Sequence, residues 1–247
     1  MFSILLSSFF VFQSSFIADG EITESYHAAA WKGHFSAQNF QDPTERKQLI
    51  AYRRTLSQGM NALPKAHTKQ LKKLELRNKA HYSRGMANHE KLILNTGKIK
   101  TRDEFMSVFI HEMGHIVDLG HLKGTKGHRT KFRDGKRSIF SDDPSVKFYR
   151  ISWINDKNRR RGTKRKDFVS GYAMSDPFED FSESYLFYRL HGDKFRHIAR
   201  TSTSLRRKYD FLRTNVFNGE EFQTEKQNAQ FTHGKLWDAT LLPITSL

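Results

Sequence analysis

His111, Glu112 and His115 stand in the order His-Glu-Met-Gly-His, two imidazoles four residues apart with a carboxylate beside the first. On a helix, residues four apart share a face, so both rings can reach one metal ion. Zinc is the usual occupant of such a pair, and the glutamate then serves as general base toward a water. A catalytic zinc takes three protein ligands and keeps one position open. The motif supplies two, and the source of the third decides which kind of zinc enzyme the chain encodes.

Two residues compete for that place. His121 completes His-Glu-x-x-His-x-x-Asp-x-x-His, the spacing of the metzincin peptidases, and Met174 then stands where a Met-turn is expected. That pattern calls for a glycine where this chain has Asp118, because the backbone must turn sharply there. The glycine comes two residues later, at Gly120. The other candidate is Glu179, at the start of a later helix. Glu179 also stands three residues after Asp176, where the reciprocal partner of a capping box belongs.

The segment Tyr172-Ala173-Met174-Ser175-Asp176-Pro177-Phe178-Glu179-Asp180-Phe181-Ser182-Glu183 resembles the one that carries the third ligand in the anthrax lethal factor catalytic domain and the related Pro-Pro endopeptidases. In that family a tyrosine lies seven residues before the ligand glutamate and a second glutamate four after it. Tyr172, Glu179 and Glu183 have this spacing. The stretch from Val108 through His111, Glu112, Gly114 and His115 to Asp118 is similar to the family's metal-binding helix. The resemblance covers about 105–190, a third of the chain. It implies an α+β, zincin-like metallopeptidase domain: a small sheet, the HExxH helix and a second helix carrying the third ligand. It implies one zinc ion on His111, His115 and Glu179, with Tyr172 as a catalytic hydrogen-bond donor to the oxyanion and Glu183 bonded to a ligand histidine. Asp118 is a second candidate for orienting a ligand histidine. Ala173 replaces the family's glycine, and Asp180 and Ser182 flank Phe181, so a Pro-Pro preference is not carried over.

The elements that must hold these residues are legible in outline. Thr101-Arg102-Asp103-Glu104 has the form of a capping box and starts the first helix. Phe105, Met106, Phe109, Ile110, Met113, Ile116 and Val117 fall on one face, with His111 and His115 nearly opposite. The pattern predicts an amphipathic helix that packs its apolar stripe, turns both imidazoles into a cleft and ends at Gly120. Asp176 and Pro177 start the second helix, which His191-Gly192 closes. Further expectations are a helix over 44–63 stopped by Pro64, and short strands over 71–76 and 91–94 with a turn at Asn95-Thr96-Gly97. An extended substrate would add beside the strand 91–94. The glycine-rich basic stretch 121–137 reads as a loop, 146–154 as a packed element, 204–217 as a helix, and 236–247 as an apolar end that packs back.

With 247 residues the chain fits a single domain, here a core over about 44–192 and a helical extension over 193–247. It has no cysteine, which excludes a disulfide framework, a Cys-ligated zinc and a Cys nucleophile. Its formal charge is +16, from 42 Lys and Arg against 26 Asp and Glu, which favours anionic partners. The run Lys157, Arg159, Arg160, Arg161, Lys164, Arg165 and Lys166 reads as an exposed basic loop. The non-enzymatic rival is a basic protein that uses this run on nucleic acid or another anionic surface, though no nucleic-acid motif is present. Residues 1–18 carry no charge and resemble a signal peptide cleaved near Ala18, too short and interrupted for a membrane span. Together these readings predict a secreted or periplasmic zinc endopeptidase acting on protein or peptide, with acidic substrates favoured by the charge.

Overall fold

The computed structural model describes residues 21–24, 31–224 and 236–244, so the segment 1–18 read as a signal peptide lies outside the described residues. Strands β1 (Glu21–Glu24) and β2 (His34–Gln38) come first, followed by helices α1 (Pro43–Asn61) and α2 (Lys65–Gln70). Strands β3 (Lys73–Arg77), β4 (Gly85–Ala87) and β5 (Lys91–Asn95) lead to the helix α3 (Arg102–Ile116). A hairpin of β6 (Arg129–Asp134) and β7 (Arg137–Phe140) precedes α4 (Ser145–Ser152). Helices α5 (Pro177–Leu190), α6 (Gly192–Ala199) and α7 (Thr203–Phe211) complete an α+β fold. Among the described residues, no helix is long and apolar enough to cross a membrane.

The larger sheet has the order β1-β2-β3-β5-β4, with β2, β3 and β5 parallel and the two edge strands antiparallel. Leu74, Leu76, Leu92 and Leu94 are fully buried on it, the alternation that a half-covered strand requires. The expected substrate strand, β5, is internal. The edge that stays open beside α3 is β4, a three-residue strand too short to announce itself by periodicity.

Thr101 caps α3 by accepting from the Glu104 N–H at 3.0 Å, while Glu104 reaches back to the Lys100 N–H at 2.9 Å. The helix departs from the amphipathic expectation: every residue from Phe105 to Ile116 is buried. It packs on the sheet and α1 on one side and on α5 on the other, so even its histidine face looks into a narrow cleft. Gly114 makes the approach to α5 possible, because a Cβ there would meet the Ser182 Cα at 2.8 Å. Gly120 does not stop the helix. The chain runs on through a π-helical turn, Val117–His121, closed by the Leu122 N–H on the Val117 carbonyl at 2.9 Å.

One further expectation is corrected. The supposed loop 121–137 contains β6 and the start of β7, joined across Gly135 at φ +54°. In the hairpin β6–β7 only Phe132 and Ile139 are buried apolar residues, so its strand period was hidden among basic side chains. His191-Gly192 closes α5, but a new helix, α6, starts at once and buries Phe195, Ile198 and Ala199. The predicted helix 204–217 is α7 followed by a second π-helical turn, Leu212–Val216. These late elements bring Phe195, Leu205 and Phe211 into the same hydrophobic core as α3 and α5. Within that core, Lys208 Nζ lies 2.7 Å from the Asp180 carboxylate with both side chains fully buried. Trp153 Nε1–H donates to the same carboxylate at 2.9 Å, and Lys208 also donates to the Asp167 carbonyl at 3.0 Å.

Candidate metal centre

Helices α3 and α5 meet where their polar residues coincide. His111 Nε2 lies 3.1 Å from Glu179 Oε2, and His115 Nε2 lies 3.6 Å from the same oxygen. One ligand atom from each of the three residues falls within 4.8 Å of the others, a set that can hold one metal ion. The donor set, two imidazole nitrogens and one carboxylate oxygen, is that of a three-ligand zinc site with an open position.

Asp176 explains why Glu179 is free to join. Its Oδ1 accepts from the N–H groups of Phe178 and Glu179, each at 2.9 Å, and so caps α5 without the Glu179 side chain. The capping-box reading of Glu179 is therefore set aside. His121 is likewise not part of the cluster. It is exposed at the end of the π-helical turn, its ring 5.2 Å from that of His67. The turn carries His121 onward with the helix and does not fold it back toward His111.

Further hydrogen bonds fix the cluster. His111 Nδ1 is 2.9 Å from Glu183 Oε1, and Glu183 Oε2 accepts from the Ala239 N–H at 2.9 Å. With its Nδ1–H donating to the Glu183 carboxylate, His111 presents Nε2 to the cluster. Burial disfavours charge on both histidines, but Glu179 and Glu183 outweigh it at His111, and Glu179 and Glu112 outweigh it at His115; both are raised above the ordinary imidazole range. Burial also opposes a charged Glu179, yet the adjacent imidazoles hold it well below the usual carboxylate range. Asp118, expected to orient a histidine, instead accepts from the Tyr149 hydroxyl at 2.7 Å, and burial pushes its carboxyl up to about 8.

Glu112 and Tyr172 complete the cleft. Burial raises the Glu112 carboxyl, with His111 and His115 partly offsetting the shift. Its Oε2 is buried and has no hydrogen-bond partner. On the opposite side β4 comes so close that a Cβ on Gly85 would lie 2.3 Å from Glu112 Oε1. The Tyr172 hydroxyl donates to Glu179 Oε1 at 3.2 Å. Burial and the Glu179 charge push that hydroxyl well up, so it stays protonated and can donate.

The cleft has a volume of about 550 Å³ and is bordered by β4, Tyr172 and the segment 236–244. Its described lining includes Asp134, Asp176 and Asp238 besides the glutamates, with Arg84 as the one Lys or Arg among them. The positive charge is thus carried elsewhere, including the exposed residues Lys157, Arg159, Arg160 and Arg161. Gly85, Arg84, Asp238 and Ala239 were not foreseen. Ser83-Arg84-Gly85 reads as turn chemistry, and nothing in 236–244 but its apolar character signals a role at the site. No known protein family, curated protein or solved structure matches the chain.

Proposed function

We propose that the protein is a zinc-dependent endopeptidase of the lethal-factor-like, glutamate-completed kind, cutting peptide bonds in extended protein segments. Glu112 carries this reading: a carboxylate oxygen buried without a partner, in the cleft that His111, His115 and Glu179 share. Leaving such an atom unsatisfied costs roughly 1–3 kcal/mol or more, a cost removed when a reacting water occupies the cleft. His111, His115 and Glu179 would hold the ion; when bound, zinc lowers the pKa of a water toward about 7 and polarises the scissile carbonyl.

The chain's own residues supply the rest. Glu112 takes the proton of the attacking water and returns it to the leaving amine. Tyr172, kept protonated, donates to the oxyanion that develops on the carbonyl. Glu183 holds His111 in the tautomer that presents Nε2. Strand β4 offers an edge for the substrate. The Arg84 carbonyl and the Asn88 N–H bond to β5, so the alternation of an antiparallel ladder turns the N–H groups of Gly85 and Ala87 outward. An extended peptide can add there as a further strand, its carbonyl beside Glu112.

The test is Glu112→Ala with zinc loaded, assayed on a library of internally quenched peptides. Cleavage falls by at least about 100-fold while one zinc per chain is retained. Undiminished cleavage would sink the assignment.

A further inference from the structure

Residues 236–244 line the cleft as a strap tied to several separate parts of the fold. The Trp237 carbonyl accepts from the Tyr172 N–H at 2.7 Å, and the Leu236 carbonyl from the Gly171 N–H at 2.9 Å. The Ala239 N–H donates to Glu183 at 2.9 Å. The Asp238 carboxylate is paired with Arg84, at the entrance to β4, and Arg84 also bonds Glu104 on α3 at 2.7 Å. The Ile244 N–H donates to Asp103 at 3.2 Å. Asp238 also shapes the strap itself. Its Oδ1 accepts from the Thr240 N–H at 2.8 Å and caps the short 3-10 turn Ala239–Leu241. That turn aims the Ala239 N–H at Glu183.

We infer that Asp238 is a positioning residue for the metal centre, acting through Ala239 and Glu183 on the ligand His111. The chain of bonds is continuous: Arg84 to Asp238, Asp238 to the turn at Ala239, Ala239 to Glu183, Glu183 to His111 Nδ1. Glu183 is fully buried, and its two oxygens are shared between the strap and the histidine. Loss of the strap's N–H leaves one of those oxygens unpaired and frees the carboxylate to rotate away from His111. The strap therefore sets how well the site holds an ion. The inference rests on the metal centre proposed above and is independent of whether the centre cuts peptides.

The test measures zinc affinity alone, by competition with a chromophoric chelator, on the full chain. Asp238→Ala weakens zinc binding by about 10–100-fold, the usual effect of losing an outer-shell partner, and Glu183→Gln does the same. The double variant is no weaker than Glu183→Gln, because the strap acts through Glu183. Trp237 reports the docked strap independently: it is 69% exposed, while Trp31 and Trp153 are buried, so acrylamide quenching of tryptophan emission follows Trp237. Quenching rises in Asp238→Ala. Should that variant fail to fold, Asp238→Asn, which keeps an oxygen for the Thr240 N–H and loses the charge paired with Arg84, carries the same comparison. Unchanged zinc affinity in the folded variants overturns the inference, as does a double variant whose losses multiply. Strap-dependent zinc binding in a protein that cuts no peptide sinks the peptidase reading and leaves this one standing.

Discussion

Gly85→Ala tests the geometry between the edge strand and Glu112, the proposed base, with one added methyl. Its backbone lies in an ordinary strand region, so the substitution brings no backbone strain of the left-handed kind. The added Cβ would stand 2.3 Å from Glu112 Oε1 and 2.6 Å from the carboxylate carbon, where contacts under 3.0 Å are essentially never observed. The carboxylate, the movable partner, must shift by roughly 0.7 Å or more to relieve the overlap. A displacement near 1 Å at a reacting group costs about 100-fold in rate, or roughly 2.7 kcal/mol of transition-state stabilisation. The three atoms nearest the new methyl all belong to Glu112, not to His111, His115 or Glu179. The expected result is a kcat/KM about 100-fold lower on quenched peptides, with zinc affinity and melting temperature close to those of the parent. Activity within about 3-fold of the parent would show that Glu112 does not work from the position described, and the general-base argument would have to be abandoned.

Three further outcomes follow from the same structure. Glu179→Ala weakens zinc binding by more than about 100-fold, beyond the cost of an outer-shell partner, while His121→Ala leaves it unchanged; titration with a chelator separates the two, and the reverse result reinstates His121 as ligand. Asp118 is raised from 3.8 to about 8 by burial, so the folded protein keeps a proton that the unfolded chain releases. Its stabilising contribution is complete below about pH 3.8 and is lost as pH rises through about 8. Asp118→Asn, which keeps a partner for Tyr149, shows a smaller drop in urea midpoint than the parent between about pH 5 and 9. Lys208→Met strands the Asp180 carboxylate in the core at a cost of about 3–5 kcal/mol, read as a melting temperature lower by roughly 6–20 °C, and Asp180→Asn in the same chain recovers part of it.

What the sequence disclosed, and what it withheld, divides along physical lines. Local signals were readable because a few adjacent residues determine them. Thr101 and Asp176 both cap the helices they were expected to start, and α1 runs Pro43–Asn61 where 44–63 was expected. The cluster of His111, His115 and Glu179 was reachable from helical spacing together with a family resemblance. The environment of α3 was not. Its apolar stripe looked one-sided, yet packing against both the sheet and α5 buries the whole helix. Long-range partners were hidden for the same reason. The Glu183–Ala239 and Arg84–Asp238 contacts join residues far apart in the chain, and neither sequence neighbourhood carries a pattern that names the other. Asp118 shows the hazard of reading a role from chain proximity: it stands three residues past His115, and its bond goes to Tyr149.

The buried pair Asp180–Lys208 has a mechanical consequence for the residue beside it. Helix α5 is lined with aromatic rings, and apolar contacts of that kind resist separation much more than they resist turning about the helix axis. A hydrogen-bonded charge pair is directional, and Asp180 is held both by Lys208 and by Trp153. Consecutive helical residues are offset by about 100° around the axis, so fixing the azimuth of Asp180 fixes that of Glu179. The ion pair works as a key in a shaft: it stops α5 from rolling and thereby keeps the Glu179 carboxylate pointed at His111 and His115.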